Sequence, residues 1–282
     1  VVLEPELSAT GGEVGATNAQ QFDFFRPLGI GVVERDDSFA VEPVLDHRAL
    51  ADDAGGVPLA EWLGRILRRR HAEKQGGSGL AGIFAIGAVN IVEHLDALCE
   101  TDDLRGALLE GIDRANAAIL ASGSGGATTL VVAEVSSDGV RPYHIGDSTI
   151  LVTGQRGAIK YQSVSHSPTG YLEEAGLLDE ADAMVHEERH LVSNVLGSNE
   201  MRLEIGPMLP LAQFDTVLLA SDALRDNLNL DRVIGHIRVG ALEKSLAELA
   251  ADCQQQMVSA ADHEPGHPDD LTMIAIRRNP RH

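Results

Sequence analysis

The stretch TVLLASDALRDNL, residues 216–228, decides how the rest of the chain is read. Val217, Leu218, Leu219 and Ala220 form an unbroken apolar run, the pattern of a strand buried on both faces. The run breaks at Ser221-Asp222, and a further acid follows at Asp226. Ser-Asp after a strand fits a helix cap, because both side chains accept backbone N–H bonds at a helix start. It equally fits a functional carboxylate held at a rigid strand end.

The same setting recurs along the sequence. Asp36-Asp37 lie in a turn between the apolar runs LGIGVV (28–33) and DSFAVEPV (37–44). Asp147 sits in HIGDSTILV between two further runs, and Asp269-Asp270 stand immediately before LTMIAIRR (271–278). One Asp in a turn is ordinary turn chemistry. Four acidic turns abutting apolar strands are a candidate set of hard oxygen ligands, which suit Mg²⁺ or Mn²⁺.

Outward from these acids, LAGIFAIG (80–87), ATTLVVAEV (127–135), GVRPYHIG (139–146), STILVTG (148–154) and MRLEIGP (201–207) read as strands. Helices are expected over 62–74, 92–98, 104–121, 168–178 and 240–261. In the last of these, Leu242, Leu246, Leu249 and Cys253 recur at helical spacing. Strands in hairpins with helices grouped between them predict an α+β fold of layered antiparallel sheets. No Pro/Ser linker divides the 282 residues, so one domain is expected over 1–282, with a loose arm over 1–27. The region 45–79 is unusual, holding the Arg68-Arg69-Arg70-His71 cluster and the flexible QGGSG loop, and reads as an insertion.

Composition narrows the function. With 22 basic and 43 acidic residues the formal charge is −21, which excludes non-specific binding to nucleic acid or anionic membrane. Hydrophobic residues make up 44% and aromatics only 4%, so the core is aliphatic. Cys99 and Cys253 are expected as reduced thiols in a cytoplasmic protein. No apolar stretch reaches the length of a membrane span and no signal-peptide pattern is expected.

The ordered set GATTLVVAEV, HIGDSTILV, LLASDALRDNL and PDDLTMIAIRR resembles the PP2C (PPM-type) family of metal-dependent Ser/Thr protein phosphatases. RDDSFAV, SHSP (165–168) and NVLGS (194–198) support it, and the resemblance covers roughly 28–278. It implies a fold of two packed antiparallel sheets flanked by helices, with hydrolysis of phosphoserine and phosphothreonine by Mn²⁺- or Mg²⁺-activated water. It implies Asp36, Asp222 and Asp269 as catalytic metal ligands, Asp37 and Gly87 in the same metal site, and Asp147 at a third metal. It implies a phosphoprotein or regulatory protein as partner. Two positions depart from the family pattern. Ile86 stands where the family carries the Asp that bridges two metals, and Val32 or Val33 stands where a phosphate-binding Arg is expected. Isoleucine cannot ligate a cation, so at most one well-occupied core metal site is expected. A catalytically impaired pseudophosphatase is the alternative reading.

Overall fold

The computed structural model describes residues 29–33, 39–46, 81–87, 104–122, 127–261 and 264–278. The expected arm over 1–27, the Arg68-Arg70 cluster, the helices over 62–74 and 92–98, Asp36, Asp37 and Cys99 lie outside them.

Ten of the described strands form two five-stranded antiparallel sheets. The first runs in the order β1 (Gly29–Val33), β3 (Ala81–Gly87), β4 (Leu130–Ser136), β5 (Gly139–Ile145) and β8 (Glu204–Ile205). The second runs β2 (Phe39–Asp46), β12 (Leu271–Arg278), β9 (Thr216–Ala220), β6 (Thr149–Thr153) and β7 (Ile159–Gln162). The sheets pack face to face through Val131, Ala133, Val135 and Val140 of the first and Ile150, Val152, Val217, Leu219, Ile274 and Ile276 of the second. These alternate along their strands, as a pleated strand requires.

The intervening residues serve the outer faces. Leu130, Val132, Tyr143 and Ile145 pack under helix α1 (Leu104–Ser122) through Leu108, Ile112 and Ala115. Leu151, Leu218, Ala220, Met273 and Ala275 pack under α4 (Asp222–Asn227), α5 (Leu230–Ile237) and α6 (Leu242–Met257). Two further short helices, α2 (Pro168–Glu174) and α3 (Glu180–Met184), lie between β7 and β8. Helices thus cover both sheets, and β9 is apolar at every position from Val217 to Ala220 because both its faces are buried. The α+β sandwich expected from sequence is the observed architecture. Among the described residues no helix is long and apolar enough to cross a membrane.

Two elements differ from the sequence reading. The strand expected over 201–207 is only Glu204–Ile205, paired with His144 and Tyr143. Pro207 has no N–H to continue the ladder, and pairing with β5 resumes at a single bridge, Leu209 to Val140. The helix expected over 240–261 ends at Met257, and Ala260–Ala261 turn back to pair with Glu264–Pro265. In α6, Leu242, Leu246, Leu249 and Cys253 are all buried, and burial pushes the Cys253 thiol up to about 12, so it is a core thiol.

Candidate metal and phosphate site

Strand register brings the acids to one end of the sandwich. Thr149 of β6 and Met273 of β12 both pair with Ala220, the last residue of β9. Asp147 therefore leads into β6 beside Asp222, which leaves β9, and Asp269-Asp270 lead into β12 on the other side. Ser221 fixes this junction. It holds the N-cap position of α4 (φ −65°, ψ 164°), yet its side chain makes no capping bond. Its hydroxyl donates to the Asp270 carbonyl at 3.1 Å and accepts from the Thr272 N–H at 3.1 Å. Its own N–H donates to the Thr272 carbonyl at 2.9 Å. Ser221 thus ties the end of β9 to the start of β12, which places Asp222 and Asp269 on neighbouring strand ends.

Asp226 joins the group. It lies one helical turn beyond Asp222 on α4, so both carboxylates share a face. Asp147, Asp222 and Asp226 line one cavity of about 280 Å³, whose lining also includes Glu173, Glu180 and Met184 of α2 and α3. Burial raises the Asp226 carboxyl to about 7, helped by the charges of Asp147 and Asp269. Burial likewise raises Asp147 to about 6, and Asp269 adds repulsion. Half-buried, mutually repelling carboxylates with all-oxygen donors are a donor set that fits a hard divalent cation, because the cation relieves the repulsion. Asp226 stood in the opening stretch without an assigned role; its spacing of four from Asp222 was the available signal.

The other expected residues are placed by backbone only. Gly87 and Ile86 close β3, with Ile86 opposite Val131, which in turn faces His144. They stand at the end of the first sheet from which β5 continues to Asp147. Asp36 and Asp37 lie outside the described residues. The strand ends that flank them, Val33 and Phe39, pair with Ile83 and Arg278. Gly87 and Leu271 stand at the other ends of those pairings, opposite Gly29 and Asp46.

Gly146 shapes the approach to Asp147. Its φ is 99°, and a Cβ there would meet Thr129 Cγ2 at 2.4 Å, so only glycine fits. Its N–H donates to His166 Nδ1 at 3.1 Å.

His144, His166 and Glu204 bring potential ligand atoms within 4.8 Å of one another. Their hydrogen bonds show a different role. His166 Nδ1 accepts from Gly146 N–H and from Asn194 Nδ2 at 2.8 Å. Asn194 is oriented by the Arg202 N–H donating to its Oδ1 at 2.9 Å. The His166 proton therefore sits on Nε2 and is donated to Glu204 Oε2 at 3.2 Å. His144 Nε2 donates to the Val164 carbonyl at 2.9 Å. A metal-binding imidazole must present a bare nitrogen, and the bare Nδ1 of His166 is already taken by two donors, while that of His144 is buried without a partner. Burial lowers the His144 pKa and keeps it neutral. The stacked pair, with ring centroids 4.4 Å apart, is a hydrogen-bonded clasp that holds the Gly146-Asp147 turn.

No family model matches the sequence, and no curated protein matches it. Comparison of folds is decisive. The serine/threonine phosphatase PstP/Ppp of Mycobacterium tuberculosis superposes with a TM-score of 0.61 at 19% identity, covering 86% of this chain and 99% of that one. The chain has the fold of the PPM-type phosphatases. Stp1 from Staphylococcus aureus gives 0.61 at 18% identity over 90% of this chain and 99% of its own. The PPM Ser-Thr phosphatase MsPP of Mycobacterium smegmatis, solved in complex with cacodylate, gives 0.59 at 18% identity over 86% and 98%. A second PstP structure, its catalytic domain in complex with two manganese ions, gives 0.57 at 18% identity over 86% and 99%.

Proposed function

We propose that this PPM-fold chain belongs to the PP2C family and is a phosphoserine/phosphothreonine phosphatase. The observation that carries the reading is the meeting of Asp147, Asp222, Asp226 and Asp269 at one end of the sandwich. These carboxylates would hold Mn²⁺ or Mg²⁺. The Gly87 carbonyl and Asp36-Asp37 enter by resemblance alone. Bound there, a divalent cation supplies an acidified water and neutralises phosphoryl oxygens.

The chain's own residues do the rest. Ser221 fixes the spacing between Asp222 and Asp269 through its bonds to β12. His166 fixes the turn that carries Asp147. Residues of α2 and α3 line the cavity beside the acids, where the phosphoryl group of a phosphorylated side chain would lie. The partner is a phosphoprotein and the setting cytoplasmic, without nucleic acid or membrane.

Ile86 favours a second reading, a pseudophosphatase that binds a partner without turnover. An aliphatic side chain replaces a metal-bridging acid, and losing one of a cooperating set costs orders of magnitude in rate. Hydrolysis of a phosphothreonine peptide, assayed with Mn²⁺ for the wild type and Ile86→Asp, separates the two. Wild-type turnover at or near the variant's level is the expected result. Negligible wild-type turnover with a clear gain in Ile86→Asp would overturn the enzyme reading and leave the binding one.

A further inference from the structure

We infer that Arg189, which lines the same cavity as Asp147, Asp222 and Asp226, is the group that grips the substrate's phosphoryl oxygens. This rests on the phosphatase reading and extends it to a residue that reading does not use. Two cations line the cavity, Arg189 and Arg225. Arg225 is committed elsewhere: it is ion-paired with Glu180, and its Nη1 donates to the Leu228 carbonyl at 3.3 Å. Arg189 forms no close ion pair among the described residues, and its charge acts on the Asp226 carboxylate of the same cavity. Its Nη2 donates to His267 Nδ1 at 3.0 Å, its Nη1 reaches the His186 carbonyl only at 3.5 Å, and its shielded Nε has no acceptor.

A guanidinium carries five N–H donors and no acceptor, and one left with spare donors in a partly buried site calls for an anion. Its planar fork matches two oxygens of a tetrahedral phosphoryl group. The surroundings select the same ligand. Asp147, Asp222 and Asp226 repel a lone carboxylate, whereas a phosphoryl group brings several oxygens that a bound cation and a guanidinium would share.

Arg189 is also held in register with the acids. Its partner His267 lies two residues before Asp269. The His267 backbone is clamped by Asn227 of α4, which donates to its carbonyl at 2.9 Å and accepts from its N–H at 2.8 Å. One side chain therefore links Arg189's anchor to the helix bearing Asp222 and Asp226.

The test is calorimetric titration of orthophosphate into Mn²⁺-loaded wild type, Arg189→Ala and Arg189→Lys, with Mn²⁺ titrated separately into each. Thermal melts confirm that the variants fold. Arg189→Ala should weaken orthophosphate binding on the order of tenfold or more, Arg189→Lys should recover part of it, and neither should weaken Mn²⁺ binding. Unchanged orthophosphate affinity in Arg189→Ala would overturn the inference, as would a parallel loss of Mn²⁺ affinity, which would make Arg189 a support of the acid cluster. A wild type that hydrolyses phosphopeptide while Arg189→Ala binds orthophosphate equally well sinks this inference and leaves the phosphatase reading standing. A wild type that binds no Mn²⁺ fails that reading first.

Discussion

Ser221 does at residue scale what neither neighbouring acid does for itself. It is 1% exposed, and its hydroxyl satisfies both a carbonyl and an N–H of the β12 lead-in. Ser221→Ala removes both bonds from a buried junction. A loss of about 1–3 kcal/mol in urea unfolding is expected, together with weaker Mn²⁺ binding as Asp222 and Asp269 separate. Asp226 makes a sharper case through pH. It titrates near 7 in the folded chain and near 3.8 when unfolded. The folded state binds more protons across that window, so this residue's effect makes metal-free stability fall as pH rises from about 4 to about 7. Asp226→Asn should flatten the slope and raise neutral-pH stability by about 1–2 kcal/mol, read by urea unfolding in EDTA at about pH 5 and about pH 7.5. An unchanged slope would show that burial does not raise the Asp226 carboxyl. The sequence showed the two acids of 216–228 but not their environments. A Ser-Asp pair reads as a helix cap, and only the path of β12 past Ser221 shows that its hydroxyl is used across strands.

At the scale of elements, the β5–β6 turn is the part most exposed to a single change. Gly146→Ala puts a Cβ into Thr129 at a φ that L residues resist. The turn must shift, and with it Asp147 and the N–H given to His166. The expected outcome is a loss of about 2 kcal/mol or more in stability and a drop in Mn²⁺ affinity, measured by unfolding and by calorimetry. Retained affinity at reduced stability would mean that Asp147 is not among the ligands. The long apolar elements were legible: β9, β12, α1 and α6 follow from continuous or helically spaced apolar residues. The short ones were not. β7 is mostly exposed and lacks alternation, and α4 holds only six residues, too few for a period to show. Register was also invisible. Nothing in the spacing of Asp147, Asp222 and Asp269 states that Thr149 and Met273 meet the same Ala220, although that pairing assembles the site.

The whole molecule is an acidic sandwich whose carboxylates are in part gathered at one end. A net charge of −21 attracts divalent cations to the entire surface, so binding at the site must be distinguished from diffuse screening. The order of the apolar runs and acidic turns carried the architecture. It could not carry the convergence of the acids with a cation such as Arg189, which comes from the loop between α3 and β8. The central claim is that these acids form a cation site. Mn²⁺ titration by calorimetry, at physiological salt, of the wild type and of Asp222→Asn tests it most directly. A stoichiometric Mn²⁺ site is expected in the wild type, and Asp222→Asn should weaken it at least tenfold. Equal binding in both proteins, or only weak non-saturating uptake in the wild type, would contradict it.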